Sequence, residues 1–163
     1  MQLNRFVITL LSLILSLNVF SQSNVPPPED LIAYSPEYDI YTIYYPKGYT
    51  SGYETDVIKF SEPKKDGISI SPYSYLLKKD ITDADLILML SVTYEVDEAN
   101  FKSVPSKFSN MVVGTGFSNN KYRMVYAGIF NHRLVVVSIS KRSNFTDQEL
   151  RLLHEGMNKV KIQ

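Results

Sequence analysis

The chain has 163 residues, of which 17 are basic, 17 are acidic and none is cysteine. This balanced charge argues against a nucleic acid or an acidic membrane surface held by bulk charge. Without cysteine the chain forms no disulfide and carries no lipidation thiol, so its stability must come from a hydrophobic core.

The first 21 residues have the pattern of a secretory signal peptide. Arg5 is the basic residue, residues 6–19 carry no charge, and Ser21 supplies the small residue at which we predict cleavage. The alternative is a retained membrane anchor, but a membrane span needs about 20 apolar residues and this stretch is interrupted by polar side chains. We therefore expect a periplasmic or secreted protein with a formal charge of −1 after Arg5 is removed.

A leader and one domain are predicted to follow. Residues 22–33 contain three consecutive prolines, which favour an extended spacer and do not pair as a central strand. Residues 34–163 are predicted to form a single domain, since a domain of this size buries roughly 68% of the surface that its unfolded chain exposes.

The first half of this domain has the pattern of three strands, at residues 38–45, 56–61 and 67–73. Aromatic and β-branched residues dominate the first strand, and alternation of apolar and polar residues marks the third. The first strand is predicted to end at Pro46, in a turn that contains Gly48.

A helix is predicted next. Thr82 and Asp85 have the spacing of a capping box, and the helix is expected to run to about Tyr94. Because residues 86–90 are apolar on every side, we expect this helix to pack on more than one face. Residues 95–109 show no sustained period and are expected to form a long connection.

The second half is predicted to contain three strands, at 110–117, 121–130 and 133–140, and a terminal helix. Thr146 and Glu149 form a second capping box, followed by an apolar stripe. The stripe consists of Leu150, Leu153, Met157 and Val160. Since strands and helices do not alternate, we predict an α+β fold: an antiparallel sheet of about six strands with two main helices packed on it.

This order of elements resembles the PsbP-like superfamily. The resemblance is carried by the strand that ends at residues 45–49, the glycine-containing strand at 113–116, the hairpin at 131–137 and the amphipathic terminal helix. It implies a sheet with helices on its faces, used for binding and assembly rather than catalysis. The signal sequence, with Ser21 followed by Gln22, is similar to those of Bacteroidetes-type bacteria, which implies a small secreted bacterial member.

Catalytic and metal-binding patterns are missing from the sequence. There is no Gly-x-Ser-x-Gly elbow, and the two histidines, His132 and His154, do not have the spacing of a zinc site. The acids at positions 80, 83 and 85 do not follow a calcium loop and are expected to cap a helix. We predict no catalytic residue, no metal and no cofactor, and hence no enzyme.

Tyrosine is the feature that a plain core explains least, because seven of the twelve lie between residues 34 and 53. Strand propensity alone favours tyrosine, but rings on both faces of one strand also suit a binding surface. The possible partner-binding residues are Tyr38, Tyr41, Tyr44, Tyr45 and Tyr49.

The sequence therefore predicts an exported, non-enzymatic binding or assembly protein of the cell envelope. Its partner is expected to be an unknown protein or envelope component, bound through these tyrosines and the connection at 95–109. We expect no nucleic acid and no stable membrane insertion after signal removal. The alternative is a periplasmic immunity or inhibitor protein that acts against a toxin or hydrolase.

Overall fold

A computed structural model describes residues 31–36, 41–55, 57–105 and 110–162. The predicted signal peptide lies outside these ranges. The strands are β1 (Leu31–Tyr34), β2 (Tyr41–Pro46), β3 (Thr50–Glu54), β4 (Val57–Ser61), β5 (Ser69–Leu76), β6 (Phe101–Pro105), β7 (Asn110–Ser118), β8 (Lys121–Phe130), β9 (Arg133–Lys141) and β10 (Lys161–Ile162). The helices are α1 (Asp83–Tyr94), a short 3-10 helix (Glu98–Asn100) and α2 (Asp147–Asn158).

Two antiparallel sheets organise these strands. The larger has seven strands in the order β3-β4-β5-β9-β8-β7-β6, and the smaller has the order β1-β2-β10. Every pairing in them is antiparallel. The predicted α+β class with an antiparallel sheet and two helices is confirmed, with one more strand in the main sheet than expected.

Both faces of the large sheet are covered. On one face α2 and β2 pack over a core that includes Phe60, Met124 and Ile139. On the other face α1 packs over a separate core that includes Val125 and Val136. Strands β8 and β9 lie at the centre of the sheet and contribute apolar side chains to both cores, which explains their almost continuous hydrophobic sequence.

Local sequence signals account for the hairpins and the helix starts. The turns of the β7–β8 and β8–β9 hairpins have positive φ at both central residues, namely Asn119 and Asn120, and Asn131 and His132, as a two-residue type I′ turn requires. Both predicted capping boxes are present, with Thr82 at the start of α1 and Thr146 at the start of α2.

The predicted long connection at 95–109 is wrong in its first part. A short 3-10 helix is followed by β6, which pairs with β7 along the edge of the sheet. Phe101 of β6 lies opposite Gly114, and a Cβ atom at Gly114 would clash with the Phe101 ring. The glycine in β7 therefore makes room for β6, a pairing between distant residues that a local pattern does not reveal.

Helix α1 also differs from the expectation. Leu86 and Leu90 are buried, but Leu88 and Val92 are 51% and 73% exposed. Among the described residues the helix thus packs on one face and not on several, because its apolar residues on the outer side meet no covering element.

The domain begins earlier than the predicted leader boundary. Leu31–Tyr34 form β1, which pairs with β2, so the last residues of the predicted leader belong to the smaller sheet. Over the ranges given above, we find no helix long and apolar enough to cross a membrane.

The packing of α2 leads to a stability prediction. Leu153 and Met157 are buried against the sheet, which confirms the predicted stripe. Leu153→Ala is expected to lower the free energy of unfolding by about 2–5 kcal/mol, because it leaves a cavity. Arg151→Ala, an exposed position on the same helix, should stay within roughly 0.5 kcal/mol of wild type. Equal midpoints in urea unfolding for Leu153→Ala and wild type would contradict this packing.

A buried ion pair makes stability depend on pH. The Lys141 side chain is 7% exposed, and its Nζ lies 2.7 Å from Glu149 Oε1. Burial by itself raises the pKa of Glu149, but hydrogen bonds from Lys141 and Thr146 outweigh it and hold that pKa below its usual value. The ionised carboxylate therefore stabilises the fold above the unfolded-state pKa of about 4.3, and this contribution is lost as the pH falls through the lower folded-state pKa.

Glu149→Gln is accordingly expected to destabilise the protein by about 3 kcal/mol at pH 7, since it leaves Lys141 buried without its counter-charge. The deficit should shrink as the pH falls below the unfolded-state pKa of about 4.3 and through the lower folded-state pKa, because the wild-type carboxylate then becomes protonated as well. Glu54→Gln, which removes a solvent-screened pair with Lys59, should leave the unfolding midpoint almost unchanged at every pH, because such pairs contribute little to stability. A deficit for Glu149→Gln that stays constant from pH 7 to pH 3 in thermal unfolding would be inconsistent with this account.

Candidate functional site

An interruption in the large sheet creates the main candidate site. Strand β5 pairs with β9 along its whole length, from Ser69 to Leu76. Within the described residues it pairs with β4 only at Ile70 and Ser69. Pro72 is the residue that would continue the pairing with β4, and proline has no N–H to donate to a ladder. The two strands therefore separate beyond Ile70.

The direction of the backbone groups follows from the ladder with β9. Leu77 N–H donates to the carbonyl of His132 at 2.7 Å, and the register from Ser69 to Leu76 is one-to-one, without a bulge. Since the N–H and C=O of successive residues in a strand point to opposite edges, those of Pro72, Ser74 and Leu76 point away from β9. They face the opening between β4 and β5.

A cavity of about 370 Å³ occupies one side of this opening. Five tyrosines line it, two from the smaller sheet and three from the larger. We call it the tyrosine cavity; its lining is Tyr34, Pro36, Tyr41, Tyr53, Val57, Ile58, Pro72, Tyr73, Ser74, Tyr75 and Arg133.

Two polar groups of this lining lack partners in the described part of the chain. The Ser74 Oγ atom is buried and makes no hydrogen bond. Arg133 is half-buried, and no ion pair or side-chain hydrogen bond is found for it among the residues described. Buried hydroxyls are ordinarily satisfied, since leaving one unpaired costs about 1–3 kcal/mol. The Ser74 hydroxyl can therefore donate a hydrogen bond to a bound group, and Arg133 supplies a positive charge.

The opposite side of the same opening is a second, smaller cavity of about 290 Å³. Its charged residues, Lys59 and Glu54, are paired with each other at 2.6 Å. Tyr73 reaches it as well, and its ring lies parallel to that of Tyr75 with a centroid distance of 6.4 Å. The charges on this side of the opening therefore neutralise each other, and the side presents the stacked rings of Tyr73 and Tyr75.

Two of the sequence-predicted tyrosines face the large sheet. Tyr41 is 4% exposed and lines the tyrosine cavity; burial raises its pKa to about 12, and the neighbouring Tyr34 adds to this rise. Tyr45 stacks on Phe60 with a centroid distance of 4.0 Å. Both rings therefore pack inside the molecule, and Tyr41 alone of the two reaches the cavity.

The other predicted tyrosines lie elsewhere. Tyr44 points from the opposite side of β2, where Lys159 Nζ lies 5.9 Å from its ring centroid. Tyr49 is half-buried against the core, and burial, with the nearby Glu62 and Glu149, raises its pKa. Tyr38 lies outside the described residues. The four that the structure describes are thus not brought together on one surface.

Of the tyrosines that complete the cavity, Tyr53 lies in the tyrosine-rich segment noted in the sequence, whereas Tyr73 and Tyr75 were not singled out. Tyr53, Tyr73 and Tyr75 belong to β3 and β5, and their neighbour in the cavity, Arg133, begins β9. The available signal was Pro72, a proline inside a strand pattern, which marks a place where a sheet edge is free. The importance of Pro72 became apparent from the pairing of β5 with β9, a contact between residues 57 to 71 positions apart.

The two histidines occupy separate places. His132 lies in the β8–β9 turn, with Nδ1 2.9 Å from Asp80, and His154 on α2 lies 2.5 Å from the hydroxyl of Tyr126. Burial lowers the pKa of His154. In the described ranges there is no group of three or more His, Asp or Glu placed to hold a metal ion.

Comparison with known proteins identifies the fold. No family model and no curated protein matches the chain. The solution structure of cyanobacterial PsbP from Synechocystis sp. PCC 6803 superposes with a TM-score of 0.62 at 13% identity, over 89% of this chain and 99% of that one. A crystal structure from Bacteroides thetaiotaomicron matches with a TM-score of 0.49 at 11% identity, over 80% of this chain and 48% of that one. The order of strands and helices expected from the sequence is thus the PsbP-like fold, and this chain has it.

Proposed function

We propose that this protein is an exported, non-enzymatic binding protein that holds part of its partner in the tyrosine cavity. The observation that carries the proposal is the lining of that cavity: aromatic rings, a guanidinium and a buried hydroxyl, the last two without a partner among the described residues. Ligand sites are typically concave and rich in rings, with a few polar groups that orient the bound molecule.

The chemistry of the lining supports binding over catalysis. The described residues of the lining include no Asp, Glu or His, so none of them has an ordinary pKa near neutrality and could act as a general base. Burial raises the pKa of Tyr41 to about 12, and its phenol therefore stays protonated at neutral pH. Protonated phenols and a guanidinium donate hydrogen bonds and stack on planar groups.

In this proposal the predicted tyrosine set divides by role. Tyr41 contacts the partner together with Tyr53, which is 79% exposed at the rim. Tyr44, Tyr45 and Tyr49 contribute by fixing β2 against the core and α2. Export rests on the signal pattern of the first 21 residues, and the partner is a protein or another component of the cell envelope.

The absence of cysteine from the chain makes a site-specific test straightforward. Tyr53→Cys and Leu76→Cys place a single thiol at the rim of the cavity and next to it, and Val92→Cys places one on α1. The three positions are comparably exposed, at 79%, 67% and 73%. Each purified variant is coupled to a maleimide photo-crosslinker, incubated with an envelope extract of the producing cells and irradiated.

We expect Tyr53→Cys and Leu76→Cys to form an adduct of the same mass, because both positions adjoin the proposed site, and Val92→Cys not to form it. Mass spectrometry of the adducts and thermal unfolding of each labelled variant are the measurements. Adducts of equal yield from all three positions, an adduct from Val92→Cys alone, or none from any folded variant would contradict the proposal.

A further inference from the structure

We propose that the partner segment bound in the tyrosine cavity is an extended peptide carrying an acidic side chain, and that it pairs as an added strand with the open edge of β5. This inference rests on the proposed function, because it names the class of partner for the same site. It is carried by the backbone groups of β5 that face the opening and by the two unpaired polar groups beside them.

The open edge has the hydrogen-bonding pattern of a strand without its neighbour. Ser74 and Leu76 each direct one N–H and one C=O into the opening, and Pro72 directs a carbonyl. These groups recur at every second residue, or about 6.8 Å along a strand. No described residue pairs with this row. An unpaired row is a template for another strand, and domains that bind peptides by strand addition use such a row. A sugar or a small aromatic molecule does not match this repeat.

The polar groups select an acidic side chain. Arg133 lies opposite Leu76 in the β5–β9 pair, so its side chain projects from the same face as those of Leu76 and Ser74. Among the described residues that line the cavity there is no carboxylate to neutralise it. A Glu or Asp of the added strand that points to this face would meet the Arg133 guanidinium and the Ser74 hydroxyl, both of which donate to carboxylate oxygens.

The neighbouring side chains of the added strand meet a different surface. Successive side chains of a strand alternate between faces, so the residues on either side of the acid point toward Tyr73 and Tyr75, whose rings are stacked. Tyr75 is 53% exposed, which leaves ring surface free for contact. The expected motif is an acidic residue flanked by apolar, β-branched or aromatic residues.

The test starts from peptides selected by the protein itself. A phage-displayed library of random peptides of about nine residues is panned on the folded wild-type protein, and the enriched peptides are synthesised with a fluorescent label. We expect an acidic residue between apolar neighbours in the enriched set. Fluorescence anisotropy then measures their dissociation constants for wild type, Arg133→Gln and the exposed control Arg151→Gln.

Arg133→Gln is expected to weaken binding about tenfold or more, the usual effect of losing a hydrogen bond to a charged group, while Arg151→Gln leaves it unchanged. Replacing the acidic residue of the peptide by its amide should weaken binding to the wild-type protein by the same factor. It should weaken binding to Arg133→Gln much less. Thermal unfolding of Arg133→Gln shows whether the variant remains folded, and the peptide substitution tests the same contact with an unaltered protein.

Strand addition has its own signature in the peptide backbone. Methylating every second amide nitrogen removes the N–H groups along one edge of an extended peptide. Two such peptides can be made, one methylated at the odd positions and one at the even positions. One of them should lose binding and the other should keep it. Equal effects of both methylations would overturn the inference. So would a library without enriched peptides, enriched peptides without an acid, or full affinity for folded Arg133→Gln. The cavity-specific crosslink can also form with a non-peptide component while no peptide binds. That result would contradict the strand-addition inference and would still support the proposed function.

Discussion

The burial of β8 and β9 on both faces is the constraint on which the rest of the molecule depends. Val125 and Ile139, which belong to the two different cores, are each fully buried. A sheet of this kind needs an apolar layer on each side, because hydrophobic strands with one open face would leave a large area in water. Helix α1 supplies one layer, and α2 supplies the other together with β2.

This requirement explains the tyrosine-rich segment near the start of the domain. β2 does not join the main sheet but lies over it, where Tyr41 and Ile43 fill the core beside α2. Rings on both faces of β2 are then satisfied within the molecule: one side contacts the sheet, and Tyr44 on the other lies near Lys159. The same placement brings Tyr41 over the gap beside β5, so the covering layer also forms a wall of the tyrosine cavity.

Pro72 accounts for the opening between β4 and β5 at which we propose that the partner binds. A residue with an N–H at this position would allow β4 to continue along β5 and close the opening, whereas proline ends the pairing at Ile70 while leaving the ladder with β9 intact. The early end of this pairing leaves a short stretch of the β5 edge without a partner among the described residues. This stretch lies between β4 and β5 and not at the outer edge of the sheet. The likeness to PsbP at 13% identity concerns the fold, so the proposed binding depends on these residues and not on the relative.

The sequence by itself determined the elements whose causes are local. Both capping boxes, the two hairpin turns and the apolar stripe of α2 depend on residues within a few positions of one another, and the order of these elements was enough to indicate the fold. The tertiary structure decided the rest: the pairing of β6 with β7 beside Gly114, the one-sided packing of α1, and the meeting of Tyr41, Ser74 and Arg133 at one cavity. These contacts join residues far apart in the chain, and their energy comes from burial and pairing partners that no local pattern specifies.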